Sequence, residues 1–574
     1  MFAEDVPVPE AICRVIEEAG IEFVFGMPGG NTVRIYNALH DHRDTIRAVI
    51  VREEGIGAIM AEVYGRLTGK PGVVMGQGAF VLQGSIGAME AHLGSSPMLM
   101  LTEITDAAPF THQAPTQSGS GEYGAWDAKA SFGGFTKRVF QPLNGPAAVQ
   151  STQLAIKHAT TGDPGPVTVL YHSTALNESV GPGSVPRIYP TQPYLPTPPP
   201  PADSAAIERA AQLLTQAQKP VIIAGNGVRV ARAFEELEAV AEAIGAPVAT
   251  TAEGKGTFIE THDLALGVMG NFGTPGANAT VAEADVLLVV GSRLSPSDTA
   301  NAHPDLINPL RQTIIQIDIE PLHASWTFPA DTVIIGDARQ ALSALSDAIA
   351  AAGGVTQSTL DARREAVLAG RKVHGYFDAP ELYSDVSPIL PQRVIKSLAT
   401  IIGEGSFVTA DAGENRIFMT HFYQTKSRHG FLQGNAVAGM GYAIPAALAA
   451  KLVYPERQVV AVCSDGGYGI SMNAMLTAYE ENIPIVAVIL NNNALGWVKH
   501  GMGPRAVASD FADFDFAAIA RSFGCGGIRV DEASKLDGAL AEALDSGVPF
   551  VVDVRTSLDE DFNRVTAPLA KTTY

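Results

Sequence analysis

The chain of 574 residues is acidic, with a formal net charge of −21, and 46% of its residues are hydrophobic. Chains of this length divide into domains of about 100–200 residues, so we expect three domains with their own cores. The negative charge and the lack of basic runs argue against nucleic-acid binding, which requires clustered lysine and arginine.

Cysteine content and hydropathy indicate where the protein works. The three cysteines, Cys13, Cys463 and Cys525, are too few and too scattered for a disulfide framework or a cysteine-rich zinc site. The first residues carry no positive charge, and glycines and a proline interrupt the most apolar long stretch, residues 436–452. We therefore expect a cytoplasmic protein that does not enter a membrane.

Two composition breaks divide the chain, a proline-rich stretch at 189–201 and an Ala/Gly-rich, then charged stretch at about 350–391. Within the resulting segments 1–182, 203–350 and 390–560, short β-branched runs alternate with helical patterns. This alternation predicts an α/β fold with three doubly wound parallel-sheet domains. The clearest predicted strands are Gly72–Met75, Pro220–Ala224, Val286–Val290, Thr313–Ile319, Gln458–Cys463 and Pro484–Leu490.

The amino-terminal segment combines a glycine-rich turn with a helix that starts at a glutamate. The turn reads Phe-Gly-Met-Pro-Gly-Gly at 25–30, and Glu53 and Glu54 precede an apolar helical pattern over Gly55–Arg66. Taken alone, Glu54 is a solvated first-turn carboxylate that the helix dipole favours. Glu53 is expected to point to solvent.

The central segment contains a weak nucleotide-binding signal. The predicted strand Pro220–Ala224 is followed by Gly225-Asn226-Gly227, which is similar to a dinucleotide-binding turn. The third glycine of that motif is missing, and Gly-x-Gly alone is weakly specific.

The carboxyl-terminal segment contains the strongest chemical signal. Asp465 follows one predicted strand and Asn492 follows the next, with a helix predicted over Ser471–Glu480 between them. Carboxyl ends of neighbouring parallel strands meet at one edge, so the two side chains can converge on a hard cation beside phosphate oxygens. The alternative is that Asp-Gly-Gly and Asn-Asn-Asn form only turns, but their spacing favours the ion site.

These motifs resemble those of the thiamine diphosphate enzyme family, and nearly the whole chain resembles its acetolactate synthase branch. The family has Gly-Asp-Gly and then Asn-Asn, a Phe-Gly-Tyr-Pro-Gly-Gly turn, and a catalytic glutamate before Tyr-Ala-Arg-Ala-Thr-Gly-Lys-Pro-Gly. Here Ser464 replaces the first glycine, and residues 64–72 read Tyr-Gly-Arg-Leu-Thr-Gly-Lys-Pro-Gly. The resemblance implies pyrimidine-binding, central and diphosphate-binding domains in an enzyme that uses thiamine diphosphate and Mg²⁺.

The resemblance also implies roles for individual residues. Glu54 would hydrogen-bond or protonate the aminopyrimidine ring, so that the imino nitrogen of this ring can remove the C2 proton of the thiazolium. Asp465, the side chain of Asn492 and the backbone carbonyl of Ala494 would bind the metal. Met440 would be the apolar wedge that holds the two cofactor rings in a V shape. The further cofactor contacts that it implies are Pro28, Gly29, Gly439, Gly466 and Gly467.

The sequence departs from the acetolactate synthase pattern where substrates would bind. Phe80 stands for a glycine, Tyr123 for a Phe-Gln-Glu element, Ser173 for a lysine and Gly501 for the tryptophan that selects the acceptor. These changes argue against a role in branched-chain amino-acid biosynthesis. The candidate substrate-pocket residues are Phe80, Gln83, His112, Gln113, Tyr123, His172 and Trp497.

Three functions stay open at this point. The first is a carboligase or decarboxylase acting on a 2-oxo acid or related carbonyl compound. The second is a C–C lyase or hydrolase acting on a hydroxyketone or diketone. The third is a catalytically silent binding or regulatory relative, which the retained Glu54, Asp465 and Asn492 argue against.

The resemblance leaves assembly and the central domain partly open. Glu54 and Asp465 lie on domains that meet across subunits in the family, which implies a homodimer or homotetramer. In the central domain, Gly291–Leu294 stands where flavin-binding relatives have Gly-x-Arg-Phe, but Ser295–Asp298 replaces their acidic continuation. FAD, ADP or no nucleotide are the alternatives.

Overall fold

The structure is a computed structural model that describes residues 3–104, 114, 116–195, 199 and 201–562. Within these residues the chain forms three six-stranded sheets in which all neighbouring strands are parallel. Helices flank each sheet, so the predicted α/β fold with three doubly wound domains is confirmed.

The amino-terminal domain contains the strands β1 (Val6–Pro7), β2 (Phe23–Gly26), β3 (Arg47–Ile50), β4 (Gly72–Met75), β5 (Met98–Ile104), β6 (Arg138–Phe140), β7 (Pro166–His172) and β8 (Ser179–Val180). Its helices are α1 (Val8–Glu18), α2 (Val33–Leu39), α3 (Glu54–Thr68), α4 (Ser85–Leu93), α5 (Ala128–Gly133) and α6 (Gly145–Thr160). The sheet order is β3-β2-β4-β5-β7-β6, and β1 pairs with β8 apart from it. Strand β5 is buried at every position, as expected for a parallel sheet covered on both faces.

The central domain contains the strands β9 (Pro220–Ala224), β10 (Val248–Thr250), β11 (Ala265–Val268), β12 (Val286–Val290), β13 (Thr313–Asp318) and β14 (Thr332–Ile335). Its helices are α7 (Ser204–Gln216), α8 (Asn226–Val230), α9 (Phe234–Ile244), α10 (Pro275–Glu283), α11 (Ala338–Ala351) and α12 (Gln357–His374). The sheet order is β11-β10-β9-β12-β13-β14. Helix α12 occupies the predicted composition break and buries only Val367.

The carboxyl-terminal domain contains the strands β15 (Phe407–Ala410), β16 (Phe431–Gln433), β17 (Val459–Ser464), β18 (Val486–Asn491), β19 (Gly526–Val530) and β20 (Phe550–Arg555). Its helices are α13 (Pro391–Ile401), α14 (Glu414–Phe422), α15 (Ala443–Val453), α16 (Asp465–Ser471), α17 (Ala474–Glu480), α18 (Gly496–Met502), α19 (Phe516–Ser522) and α20 (Ala533–Asp545). The sheet order is β16-β15-β17-β18-β20-β19.

The single helix predicted between the two ligand-bearing strands is wrong. Two short helices stand there, because the Ser464 hydroxyl accepts the N–H of Gly467 at 3.1 Å and starts a helix directly after the strand. That helix ends at Ser471. A turn at 472–473 then leads into α17.

One hydrophobic core joins the amino-terminal and carboxyl-terminal domains. Helix α3 packs against α15, and the buried cluster includes Ile56 and Tyr64 from the first domain with Tyr442 and Ala447 from the last. The two domains therefore form a continuous interior. Among the residues that the structure describes, no helix is both long and apolar enough to cross a membrane.

Candidate active site

Two predicted metal ligands meet at the carboxyl edge of the carboxyl-terminal sheet. Asp465 directly follows β17, and Asn492 directly follows the neighbouring strand β18. Asp465 Oδ2 and Asn492 Oδ1 each accept the N–H of Ala494, both at 3.1 Å. A carboxylate oxygen and an amide oxygen therefore face one small region, and oxygen donors of this kind are those that Mg²⁺ prefers.

Burial alters the acidity of Asp465. The residue is 3% exposed, and this burial raises the pKa of its carboxyl to about 6, although backbone N–H donors such as that of Gly466 oppose the shift. A buried carboxylate is costly in its charged form. A divalent cation at this position would stabilise the ionised group.

Close packing requires glycine at two positions beside these ligands. A Cβ atom on Gly466 would lie 3.0 Å from Met440 Cε, and one on Gly496 would clash with Glu414 Oε2. A Cβ on Gly496 would also lie 3.1 Å from Asn492 Nδ2. The backbone therefore approaches the predicted ligands more closely than any other residue would permit.

A cavity of about 80 Å³ opens beside the two ligands. Met440, Asn492, Ala494 and Trp497 are among its lining residues, and all described residues that line it belong to 391–557. Pockets for ligands the size of a cofactor measure about 300–1,000 Å³. The cavity of a single chain therefore accommodates only one end of such a ligand.

Glu414 and His500 form a pair in this region that the sequence did not indicate. Glu414 lines the cavity, its Oε1 lies 2.5 Å from His500 Nδ1, and His500 Nε2 lies 2.9 Å from the Leu558 carbonyl oxygen. Burial raises the pKa of Glu414, and the hydrogen bond to Glu414 raises the pKa of His500. The carbonyl oxygen of Leu558 can only accept, so Nε2 of His500 is the donor to it and Nδ1 faces the carboxyl of Glu414.

Asp411, which directly follows β15, is a second residue that sequence reasoning missed. Its fully buried carboxylate accepts the N–H groups of Ala412 at 2.8 Å, Gly441 at 2.9 Å and Ala443 at 3.1 Å. Burial raises the pKa of this carboxyl to about 6. Asp411 fixes the backbone on the carboxyl-terminal side of Met440. In a sequence, a lone aspartate after a strand is typical of an ordinary turn, so it does not indicate this role.

Glu54 lies at the carboxyl edge of the amino-terminal sheet. It is the first residue of α3, it is 4% exposed, and burial raises the pKa of its carboxyl. A Cβ on Gly76, which follows β4, would lie 3.4 Å from Glu54 Cγ. Glu54 is therefore not a solvated first-turn carboxylate, and it can keep a proton at higher pH than an exposed glutamate.

The expectation that Glu53 points to solvent is wrong. Its side chain is the amino-terminal cap of α3 and accepts the N–H groups of Gly55 at 2.9 Å and Ile56 at 3.2 Å. The first amides of a helix lack partners within it, so a preceding carboxylate is drawn to them. The negative charge of Glu53 also contributes to raising the pKa of Glu54.

The predicted glycine-rich turn lies at the same edge. Pro28 is exposed and Gly29 is half-buried, and a Cβ on Gly29 would lie 2.8 Å from Gln77 Oε1. A Cβ on Gly30, which has a φ of 52°, would clash with Glu103 Oε1 at the end of β5. The turn therefore requires glycine to pack on the ends of the strands.

The predicted substrate-pocket residues of the amino-terminal domain lie mostly at the surface of the single chain. Phe80, which is 46% exposed, and the exposed Gln83 lie on a 3-10 helix, Gly78–Gly84. Tyr123 is 95% exposed. His172 ends β7 and is half-buried.

The other candidate residues lie elsewhere. Trp497 lines the cavity of the carboxyl-terminal domain, and its ring stacks on Phe562 with centroids 4.3 Å apart. Gly439, next to Met440, is half-buried, and a Cβ there would approach Ile86 Cγ2 to 2.6 Å. His112 and Gln113 lie outside the described residues.

A much larger cavity, of about 1,360 Å³, lies between the central domain and its two neighbours. Its lining includes Asn226 from the glycine turn, Arg293 after β12 and Asp318 at the end of β13. Two further lining carboxyls, Glu253 and Asp298, each have one oxygen without a hydrogen-bond partner among the described residues. Burial raises the pKa of Glu253 to about 7 and raises that of Asp298.

Models of three protein domains match the chain in the order of its three sheets. Residues 7–119 match the N-terminal TPP binding domain of thiamine pyrophosphate enzymes, 207–345 their central domain and 411–554 their C-terminal TPP binding domain. The chain belongs to the thiamine pyrophosphate enzyme family. The resemblance drawn from the sequence motifs is thus confirmed.

Curated relatives within this family match over nearly the full length. The chain is 32% identical to the probable acetolactate synthase large subunit of Methanocaldococcus jannaschii, covering 95% of this chain and 91% of the relative. It is 30% identical to the acetolactate synthase isozyme 3 large subunit of Escherichia coli K12, over 93% and 92%. For the acetolactate synthase large subunit of Corynebacterium glutamicum, the identity is 31% over 95% and 86%. The protein is therefore a thiamine diphosphate-dependent enzyme similar to acetolactate synthases.

The residues at the carboxyl-terminal edge fit this cofactor. Asp465 and Asn492 supply hard oxygen donors. Glycine at 466 has no side chain to fill the space beside Met440, where a Cβ would lie 3.0 Å from Met440 Cε. Asp465 is buried and accepts hydrogen bonds from the backbone N–H groups of Gly466 and Ala494, and a divalent cation bound beside it would supply a counter-charge for the carboxylate.

Proposed function

We propose that the protein is a carboligase or decarboxylase that acts on a 2-oxo acid or a related carbonyl compound. The observation that carries this proposal is the convergence of Asp465 Oδ2 and Asn492 Oδ1 on one small region, together with a buried Glu54. Both features are what activation of the family's cofactor requires. The similarity to acetolactate synthases supports the reaction class.

In this proposal Asp465, Asn492 and the carbonyl of Ala494 hold Mg²⁺, which binds the diphosphate. Met440 supports the cofactor rings, and Pro28 and Gly29 contact the pyrimidine. When bound, thiamine diphosphate supplies a carbon nucleophile for the substrate carbonyl.

Burial raises the pKa of Glu54, which favours its protonated form, and in this proposal the carboxyl donates a hydrogen bond to the pyrimidine ring. The remaining cofactor contacts are assigned to Gly439, Gly466 and Gly467.

We assign the choice of substrate to residues around this region. Phe80 narrows the space above the thiazolium compared with glycine, and Gln83, Tyr123 and His172 offer polar contacts once a second subunit covers them. In this proposal Trp497 forms the wall of the substrate pocket on the side of the carboxyl-terminal domain. His112 and Gln113 are further candidate substrate-pocket residues. A lyase or hydrolase acting on a hydroxyketone or diketone is the alternative that such an altered pocket allows.

The active site is assembled from two copies of the chain in this proposal. Among the described residues, none from the amino-terminal domain of the same chain lines the cavity beside Asn492, although Glu54 belongs to that domain. Phe80 and Ile470 are 46% and 59% exposed, and exposed apolar side chains of this size mark interfaces when they cluster. A homodimer or homotetramer would supply the missing wall.

Mixing two inactive variants tests this assembly. Glu54→Gln and Asp465→Asn homodimers should each be inactive, and random subunit exchange should restore about one quarter of the wild-type activity. The restored activity would come from the mixed dimers, which hold one intact site of two. Failure to restore any activity after verified exchange would mean that each site lies within one chain.

The central cavity is proposed to take an adenine nucleotide, either ADP or FAD. Arg293 and Asp318 both line this cavity, and in this proposal Arg293 would pair with the phosphates while Asp318, at a strand end, would bind ribose hydroxyls. Mass spectrometry of the denatured protein identifies a retained nucleotide, and visible absorbance separates FAD from ADP. Absence of saturable binding of either nucleotide in titrations would contradict this part.

We place the enzyme in the cytoplasm. Cys13, Cys463 and Cys525 are all buried and free in the described structure. Free thiols of this kind suit a reducing compartment.

Calorimetry tests the core of the proposal. Cofactor-free protein should bind thiamine diphosphate saturably, and only weakly when Mg²⁺ is removed by a chelator. Incubation with a panel of 2-oxo acids, hydroxyketones and diketones, with products identified by mass spectrometry, then separates the reaction classes. Carbon dioxide with a ligated or aldehyde product supports the leading function, whereas cleavage of a diketone without ligation supports the alternative.

A further inference from the structure

Four consecutive backbone amides of the carboxyl-terminal domain point at one carboxylate of the amino-terminal domain. Asn435 and Ala436 donate their N–H groups to Glu90 Oε1 at 2.9 and 3.1 Å. Val437 and Ala438 donate theirs to Glu90 Oε2 at 2.8 and 3.2 Å. A concave row of amides binds anions. Here the anion is a side chain of the protein itself.

The carboxylate is held in place from its own domain. Glu90 lies on α4 and is 1% exposed, and its Oε1 lies 3.5 Å from Arg66 Nη2. The buried Arg66 is in turn bound by Glu62 Oε1 at 2.6 Å. Buried charges persist only when they are paired and fully hydrogen-bonded. Glu90 meets this condition through one arginine and four amides.

The four amides directly precede a sharp bend of the backbone at Met440, which we call the corner. Ala438 and Gly441 on either side of it have φ angles of 58° and 87°, so the backbone turns sharply twice. Beyond the corner, Tyr442 donates its hydroxyl to Glu62 Oε2 at 2.8 Å. Carboxylates on α4 and α3 thus hold the backbone before Met440 and the side chain of Tyr442 after it.

We propose that Glu90 is a positioning residue of the cofactor site and that it fixes Met440 by holding the loop 435–438. The inference rests on the proposed role of Met440, whose Cε would lie 3.0 Å from a Cβ on Gly466. A displacement of the loop would move this side chain away from the residue that follows Asp465. If Glu90 instead serves only to join two domains, its loss would leave the position of Met440 unchanged.

Glu90→Gln is the first test. It keeps the size of the side chain, but its NH₂ group cannot accept, so two of the four bonds are lost. Amide hydrogen exchange of a peptide covering 435–438 in the cofactor-free protein should speed up about tenfold or more. The turnover number should fall about tenfold with a nearly unchanged KM, because the loop acts on the cofactor and not on the substrate.

Glu481→Gln is the matched control. Glu481 also joins the two domains, since it accepts from Arg47 at 2.8 Å and from the N–H of Ile50 at 3.0 Å, but it lies away from the loop. This control should change neither the exchange of 435–438 nor the turnover number. Equal effects of both substitutions would assign Glu90 to domain joining alone and overturn the proposal.

A double-mutant cycle separates positioning from general destabilisation. Glu90→Gln should have little further effect on turnover in a Met440→Ala background, because the group that it positions is already gone. Effects that multiply in the double variant would overturn the proposal. If Glu90→Gln fails to fold, Glu90→Asp keeps the charge and should show an intermediate increase in exchange at 435–438.

The two proposals fail in different ways. If wild-type protein binds no thiamine diphosphate, the proposed function is wrong, yet hydrogen exchange on the cofactor-free protein still decides whether Glu90 holds the loop. If the cofactor binds and exchange at 435–438 is unchanged in both Glu90 variants, the inference about Glu90 is wrong and the proposed function stands.

Discussion

Asp465 and Asn492, the first residues after two neighbouring strands, share one hydrogen-bond donor, the N–H of Ala494. The backbone N–H groups of Gly466 and Ala494 both donate to Asp465, yet they do not offset its burial, which raises the pKa of the carboxyl to about 6. We propose that a cation bound at this position supplies the counter-charge. This relationship gives the first prediction.

Asp465→Asn should weaken Mg²⁺-dependent binding of thiamine diphosphate by about 100-fold or more, because the shape is kept and the charge is lost. Calorimetric titration at fixed Mg²⁺ measures the change. Asp510→Asn is the control, since that side chain is 69% exposed and pairs only with Lys499 in the described salt bridges. Binding by Asp465→Asn at wild-type strength would remove Asp465 from the metal site.

Glu54→Gln should fold and bind the cofactor, but slow the exchange of the cofactor's C2 proton by about 10²–10⁴-fold. Glutamine cannot give up or take a proton at this position. Exchange into deuterated water, followed by NMR after an acid quench, measures the rate. Glu53→Gln serves as the neighbour control and should cost mainly helix capping, about 1 kcal/mol of stability. A wild-type exchange rate in Glu54→Gln would contradict the assigned role.

Asp411 should make the stability of the cofactor-free protein depend on pH. Its pKa is raised from 3.8 to about 6, so its contribution to stability is fully present below pH 3.8 and is lost as pH rises to about 6. Relative to Asp411→Asn, which does not titrate, the wild type should lose about 3 kcal/mol across this window. Melting temperatures of both proteins between pH 4 and 7 test this. A constant offset between them would show that Asp411 does not titrate there.

Gly496→Ala should lower metal and cofactor affinity about tenfold or more, because its Cβ would clash with Glu414 Oε2 and press on Asn492. Gly501→Ala, on the same helix, has nothing within 4 Å of its Cβ and is the matched control. Titration of both variants with Mg²⁺ and thiamine diphosphate compares them. Equal affinities would mean that the loop shifts freely at 496.

The strands and the convergence of Asp465 and Asn492 were predictable because they depend on short-range patterns. Buried parallel strands are continuous apolar runs, and three predicted strands, among them Gly72–Met75, match the structure at both ends. Asp465 and Asn492 were found because strand ends of one sheet share an edge. The role of Glu54 could be predicted only from the family resemblance, because no local sequence pattern distinguishes a buried first-turn glutamate from a solvated one.

Other site residues could not be predicted because their partners are backbone groups far along the chain. Asp411 binds amides at 441 and 443, and Glu90 binds amides 345 to 348 positions away. Every residue except proline has the same backbone N–H group, so the sequence does not indicate which carboxylate will accept it. The Glu414–His500 pair spans 86 positions and likewise has no local signal.

The hydrogen bonds between Glu90 and the loop 435–438 also affect how the molecule folds. If the carboxyl-terminal domain were expressed alone, the amides of Asn435 to Ala438 would lose the carboxylate that accepts them. The backbone around Met440 would then be held on its carboxyl-terminal side, by Asp411, but not at residues 435–438. These amides would face water, and the stabilisation of about 1.5–3 kcal/mol that a hydrogen bond to a charged group contributes would be lost at each of them. The three domains can be distinguished by their sheets, but we expect the first and the last to unfold together as one cooperative unit. Limited proteolysis between them should therefore not release a stable carboxyl-terminal fragment.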